Sequence, residues 1–302
     1  MHFPPALPPG GTIGIVNPSS PVEIERLDAG TAVLKAHGFR VIAAPHVRHR
    51  DGHHAGSPAA RAADFSDFYA DPSVDVLWCA RGGSSACRLW PLLDWDALAA
   101  LPPKMVIGYS DTTSLLIPLN QRVGTVALHG PLVFELGSLA PDVLDWQLRL
   151  LQDPTSAGSV PGAALDTLVP GIAAGALCGG CLSLVVATLG TPYQIDVVGK
   201  LLLIEDIGEA PHRIERMLVQ LAEAGILGSA AAFVIGQATD ADDAGTLPLR
   251  QIWADLLAPF GKPAVLGFPF GHVTPNYALP LGVRARLDAD AGTLTLLEAA
   301  VG

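Results

Sequence analysis

The chain has 302 residues, half of them hydrophobic, a length that supports one large domain or two ordinary ones, each with its own core. Its 18 Lys and Arg against 29 Asp and Glu leave a formal charge of -11, which disfavours a broad nucleic-acid surface because phosphate binding depends on clustered cations. The amino-terminal stretch "MHFPPALPPGGTIGIVNPSS" lacks a charged segment followed by an unbroken apolar one, and no run reaches the roughly 18 apolar residues of a membrane span, so a cytoplasmic protein is expected.

In chain order, "GTIGIVNPSS" reads as a first strand, Val22 to His37 as an amphipathic helix, "FRVIAAP" as a second strand and Ala59 to Tyr69 as a helix. "VDVLWCARGG", "KMVIGYS" and "GTVALHGP" supply three more strands, each separated by helical or turn-rich sequence. Short β-rich runs alternating with helices predict a parallel sheet covered on both faces, with reactive groups gathered beyond the carboxyl ends of the strands. Arg81-Gly82-Gly83 and Ser110 both fall at such ends.

Between about Gly137 and Gly171 the pattern gives way to one helix-like piece, "PDVLDWQLRLLQ", and a stretch rich in Pro, Gly, Ser and Ala. Then come the buried run "GKLLLIEDIGE", a long amphipathic helix from Pro211 to about Ala224, the strand "AAFVIGQAT", a helix from Leu249 to Leu257, and "PAVLGFP". Two alternating runs around Asp290-Ala-Gly close the chain as a hairpin. The expected organisation is an amino-terminal α/β domain over 1–136, a linker over 137–170 and a smaller carboxyl-terminal α/β domain over 171–302.

Four cysteines are too few for a disulfide framework. Cys178-Gly-Gly-Cys181 has half of a zinc site's spacing, but Cys79 and Cys87 do not form a second such pair, so the segment is read as a Gly-rich turn opening a helix near Leu182. Of nine histidines, His46, His49, His53 and His54 crowd one charged loop that reads as solvated surface. His272, in "FPFGHVTPNYALPLG", lies in a Gly-rich loop directly after a strand. Glu205 and Asp206 end the most apolar run of the second half, and adjacent acids on a strand point to opposite sides.

In "KMVIGYSDTTSLL", Gly108-Tyr109-Ser110-Asp111-Thr112 meets only the first half of the G-x-S-x-G elbow. A strand-to-helix turn suits a nucleophile, since its hydroxyl stands above the sheet and the following amides point the same way. On this stretch alone, however, Ser110 or Asp111 is read as the cap of a helix beginning at Thr112. A serine nucleophile would need a histidine base and a carboxylate that orients it.

Taken in order, "RGG", "GYSDTT", "HGP", "GGCLSLV", "LLIEDIGEAPHRIERML", "IGQATD" and "GHVTPNYALPLG" resemble the LD-carboxypeptidases, the muramoyltetrapeptide carboxypeptidases. Their superfamily also holds the microcin C immunity peptidases. The resemblance covers nearly the whole chain. It implies two α/β domains with an active site in the cleft between them, Ser110 as nucleophile, His272 as general base and later acid, and Glu205 as the carboxylate that orients the imidazole. It also implies an oxyanion hole built from the backbone amides of Asp111 and a glycine of the Arg81-Gly82-Gly83 turn, taken as Gly83. The implied activity is release of terminal D-alanine from murein tetrapeptide, across an L,D bond, during cytosolic wall recycling, with no metal or cofactor. Arg81, with Gly82 beside it, is a candidate for binding the substrate's free carboxylate. A homodimer, frequent among such relatives, is compatible with the apolar fraction. Family members typically continue Arg-Gly-Gly with Tyr-Gly, whereas this chain has Ser84 and Ser85, a departure at the outer wall of the hole. The alternatives are an immunity-type peptidase acting on aminoacyl-nucleotide amides and a non-catalytic peptide-binding protein.

Overall fold

A computed structural model describes residues 1–241 and 247–302. The chain forms two compact units, one comprising Met1–Ser156 with Ala299–Gly302, the other Ala157–Glu298. Both are α/β.

In the first unit, β1 (Thr12–Val16), β2 (Arg40–Ala43), β3 (Val76–Cys79), β4 (Met105–Gly108) and β5 (Ala127–His129) run parallel in the order β5-β4-β3-β1-β2. The central strands TIGIV, VLWC and MVIG are buried along their whole length, as expected of strands covered on both faces, whereas the RVIA of β2 is partly exposed at the edge. The chain goes from β1 to β2 on one side and to β3 on the other, so the order reverses between β1 and β3. Ligands bind at such a crevice beyond the carboxyl ends. The loops there are Asn17–Pro21 and Ala80–Ser85.

The helices are α1 (Ile24–Ala36), α2 (Pro58–Ala70), α3 (Trp95–Ala99), α4 (Thr113–Pro118) and α5 (Pro141–Gln152). Ser57 starts α2 by accepting the Ala60 N–H at 3.2 Å, with Pro58 in the first turn, where its missing N–H costs nothing. Helix α2 buries Ala62, Phe65 and Tyr69, and with them Arg61 and Asp64. Helix α1 lays Leu27, Gly30 and Leu34 inward, and a Cβ on Gly30 would stand 1.8 Å from the Val133 carbonyl oxygen.

The second unit holds β6 (Gly158–Ser159), β7 (Asp166–Val169), β8 (Ile172–Cys181), β9 (Leu201–Ile207), β10 (Ala232–Thr239), β11 (Ala264–Leu266), β12 (Leu279–Leu281), β13 (Arg284–Asp288) and β14 (Thr293–Leu296). One sheet runs β6-β14-β13-β8-β9-β10-β11-β7; β8 to β11 are mutually parallel, and the flanking pairs are antiparallel. The closing hairpin is β13 with β14. Helices α6 (Leu182–Ala187), α7 (Pro211–Glu223), α8 (Ile226–Ser229) and α9 (Leu249–Leu257) complete the unit. Pro211, Ile214, Leu218 and Leu221 of α7 form the buried stripe that its spacing predicts.

Segment 137–170, expected as a linker, contains α5, β6 and β7. Cys178-Gly-Gly-Cys181 is not a turn: it is the end of β8, in register with β9 through Gly179 opposite Leu203 and Cys181 opposite Glu205. The glycines serve close approach, since a Cβ on Gly179 would stand 2.1 Å from the Leu203 carbonyl oxygen. Burial pushes the Cys178 thiol up to about 12. Among the described residues, no group of three or more His, Cys, Asp or Glu is placed to hold a metal ion, and no helix is long and apolar enough to cross a membrane.

Candidate active site

Ser110 follows β4 after one residue, Tyr109, and opens a 3-10 turn, Ser110–Thr112, that leads into α4. Its φ of +62° lies in the left-handed region, which a residue with a side chain occupies only where its surroundings hold it. That conformation overturns the capping role: a cap residue is extended, the position before this turn belongs to Tyr109, and no side-chain cap bond is made there or at Thr112. The turn closes on its own hydroxyls, with Thr112 Oγ1 donating to the Tyr109 carbonyl at 2.8 Å and Ser114 Oγ to that of Asp111 at 2.7 Å. The phenol of Tyr109 donates to Glu135 Oε1 at 2.6 Å, and Glu135 Oε2 accepts the Leu132 N–H at 2.8 Å.

The loop after β3 lies against this serine. A Cβ on Gly82 would stand 3.0 Å from Ser110 Cβ and 3.2 Å from its Oγ, so a side chain there would crowd the serine. Gly83, at φ +118°, packs on Ser20, whose Oγ a Cβ would meet at 2.3 Å. Asp111 ties the loop to the turn: its buried Oδ2 accepts the Ala86 N–H at 2.8 Å. Burial raises the Asp111 carboxyl above the ordinary range, while the Ser19 hydroxyl, the Ala86 amide and the charge of Arg61 pull it back. Arg81 is anchored on the segment between β1 and α1. Its Nη1 donates to the Pro21 carbonyl at 2.6 Å and pairs with Glu23 at 3.1 Å.

In the second unit, Glu205 on β9 is 1 % exposed and meets the loop after β11. Its Oε2 accepts the His272 backbone N–H at 3.1 Å and faces His272 Nδ1 at 2.6 Å. A carboxylate in that position takes the Nδ1 hydrogen, which leaves Nε2 as the basic nitrogen. Gly271, at φ +87°, makes the contact possible, because a Cβ there would lie 2.3 Å from Glu205 Cγ and 2.4 Å from Oε2. The Asn276 Oδ1 holds the Gly271 N–H at 2.8 Å. Asp206 takes the opposite direction, as strand alternation requires, and accepts the N–H groups of Ser183 and Ile207, each at 2.8 Å.

Thus Gly82 and Asp111 flank Ser110 within the first unit, and Glu205 and His272 are paired within the second. The histidine-rich loop is not simply solvated: His46 Nδ1 contacts Asp64 Oδ1 at 2.8 Å, and His54 Nδ1 contacts Ser85 Oγ at 2.6 Å. Sequence reasoning passed over Arg61, which is 2 % exposed and reaches the Pro18 and Ser85 carbonyls. The signal was present: Arg61, Phe65 and Tyr69 share one stripe of α2, so the arginine stands on the apolar face.

Comparison with known proteins gives two matching family profiles. Residues 13–130 match the LD-carboxypeptidase N-terminal domain and residues 174–287 the LD-carboxypeptidase C-terminal domain. A Bacillus subtilis protein bearing the name "Probable murein peptide carboxypeptidase" is 35% identical over 306 residues, which cover 99% of this chain and 95% of that protein. The microcin C7 self-immunity protein MccF of Escherichia coli is 25% identical over 323 residues, 96% of this chain and 94% of its own. The crystal structure of muramoyltetrapeptide carboxypeptidase from Oxalobacter formigenes superposes with a TM-score of 0.82 at 31% identity, over 94% of this chain and 97% of that one.

Proposed function

Because the chain belongs to the LD-carboxypeptidase family, we propose that it is a serine carboxypeptidase that releases terminal D-alanine from murein tetrapeptide in cytosolic wall recycling. The observation that carries this reading is the pair of His272 with the buried Glu205, Nδ1 facing the carboxylate at 2.6 Å. A carboxylate in that role fixes the tautomer and stabilises the imidazolium that forms when Nε2 takes a proton. Ser110, strained at its turn beneath Gly82, is the partner hydroxyl in this reading.

The steps follow from those assignments. His272 Nε2 accepts the Ser110 proton as Oγ attacks the carbonyl carbon of the L,D peptide bond. The tetrahedral oxyanion is met by the Asp111 N–H and by a glycine N–H of the Gly82-Gly83 turn. Collapse breaks the C–N bond, and His272 returns the proton to the departing amino group of D-alanine. Water then attacks the Ser110 ester with His272 as base, regenerating the hydroxyl. Arg81 stays the candidate for the substrate's free carboxylate, since the Pro21 carbonyl and Glu23 both engage Nη1 alone of a guanidinium with five N–H donors.

The likeness in sequence to MccF favours a second reading, cleavage of an aminoacyl-nucleotide amide by the same residues. Both are tested by mass spectrometry of L-Ala-γ-D-Glu-meso-diaminopimelate-D-Ala and of an aminoacyl-sulfamoyl adenosine, each incubated with wild type and with Ser110→Ala. Release of D-alanine by wild type alone supports the carboxypeptidase. Cleavage of the adenosine compound alone supports the second reading, and cleavage of neither overturns both.

A further inference from the structure

Two residues near the candidate nucleophile adopt left-handed backbone without being glycine: Ser110, at φ +62°, and Ser85, at φ +78°. Such a conformation costs an L residue about 1–2 kcal/mol and persists only where neighbours hold it. At Ser85 the neighbours are specific. His54 Nδ1 lies 2.6 Å from Ser85 Oγ, and Arg61 Nη1 lies 3.4 Å from both the carbonyl and the hydroxyl of Ser85. On the other side of His54, Arg88 Nη1 is 3.3 Å from Nε2. Arginine can only donate, so Nε2 is the acceptor, Nδ1 carries the hydrogen, and the imidazole donates to Ser85.

The groups facing His54 favour this neutral form. Burial lowers its affinity for a proton below the ordinary imidazole range, His53, Arg61 and Arg88 lower it further, and only Asp51 opposes them. Ser85 in turn ends the Arg81–Ser84 loop whose Gly82 lies against Ser110, and its successor Ala86 donates to Asp111. Ser20 pins the turn from the other side, its N–H donating to the Gly82 carbonyl at 3.2 Å and its Oγ accepting the Ser84 N–H at 3.1 Å, so His54 holds, through Ser85, the end of the loop that runs from Gly83 to the Asp111-bound Ala86.

We propose that His54, through Ser85, is a positioning residue that holds the Gly82-Gly83 turn over Ser110 in the geometry an oxyanion requires. The proposal rests on the reading of Ser110 as nucleophile. It concerns a position whose left-handed backbone glycine would adopt unaided, and where a hydrogen-bonded serine stands instead. Because the donors act on charge that develops only in the transition state, loosening them lowers kcat and spares KM.

The test compares His54→Ala, His54→Asn and Ser85→Ala with wild type and Ser110→Ala. The side-chain amide of asparagine lies close to the place of Nδ1 and can donate as it does. His54→Ala and Ser85→Ala are each expected to lower kcat on the tetrapeptide about tenfold, less than the 10²–10³ of deleting an oxyanion donor outright. KM should stay unchanged, the double variant should be no worse than either single one, and His54→Asn should recover most of the loss. Hydrogen exchange of residues 80–90, read without any substrate, should quicken in His54→Ala and Ser85→Ala and return towards wild type in His54→Asn. Unchanged kcat in both alanine variants, with Ser110→Ala inactive, overturns the proposal and leaves the nucleophile standing. If wild type turns over neither substrate, the proposed activity fails on its own and the exchange result decides: quickened exchange sustains His54 as the anchor of the turn, and unchanged exchange overturns it. Should His54→Ala not fold, Ser85→Ala and His54→Asn carry the same comparison.

Discussion

Ser110 combines two demands that pull against each other, a hydroxyl presented above the sheet and a backbone at φ +62° that any side chain resists. Ser110→Gly is therefore expected to abolish turnover while leaving the fold as stable or more so, by about 0.5–1 kcal/mol, because glycine enters the left-handed region without penalty. Denaturant unfolding beside the D-alanine assay checks both halves; a clear loss of stability would show that the hydroxyl, not strain, dominates there. Glu205→Gln keeps the shape but can present an amide to Nδ1, so kcat should fall about 10³–10⁴-fold with the protein still folded. Gly271→Ala would force a methyl to 2.3–2.4 Å from the Glu205 side chain. It should lose activity as thoroughly as Glu205→Gln, and unlike that variant also lose stability.

At the scale of elements, α1 tests propensity against packing. Gly to Ala within a helix ordinarily stabilises by about 1 kcal/mol. At Gly30 the added Cβ would meet the Val133 carbonyl at 1.8 Å, so Gly30→Ala should instead destabilise by about 1–3 kcal/mol, seen as a lower denaturation midpoint. The thiols divide in the same way. Burial lifts Cys79 and Cys178 to about 12 and Cys181 well above its ordinary value, while Cys87 is only half-buried, so alkylation of the native protein at pH 8 should mark Cys87 alone. Peptide mapping after a timed pulse reads this out, and early labelling of Cys178 would contradict the burial. These contacts also mark the limit of what local sequence carries. The parallel strands were legible because TIGIV, VLWC and MVIG are almost wholly apolar, and His272 and the adjacent Glu205 and Asp206 stood out because they follow or end such runs, whereas the choice of Glu205 rested on the family resemblance. Cys178-Gly-Gly-Cys181 was not, because two glycines signal a turn locally, and only pairing with β9 keeps them extended. The anchoring of Ser85 by His54 joins residues 31 apart through a side chain, which no periodicity records.

For the molecule as a whole, acidity is the dominant electrostatic property. With a net charge of -11 at pH 7 and an isoelectric point near 5.1, the charge repulsion between molecules fades as the carboxylates take up protons. Light scattering should accordingly rise towards a maximum at about pH 5. The composition of the first unit adds a different kind of constraint. Its last four residues, Ala299–Gly302, come after the whole of the second unit in the chain, and they bring buried Ala300 and Val301 and a Gly302 N–H that donates to the Pro4 carbonyl at 2.9 Å. Deleting them should cost about 2 kcal/mol for the lost Val and Ala burial. Because residues 299–302 follow the second unit along the chain, a ribosome must complete the second unit before it can supply this piece of the first.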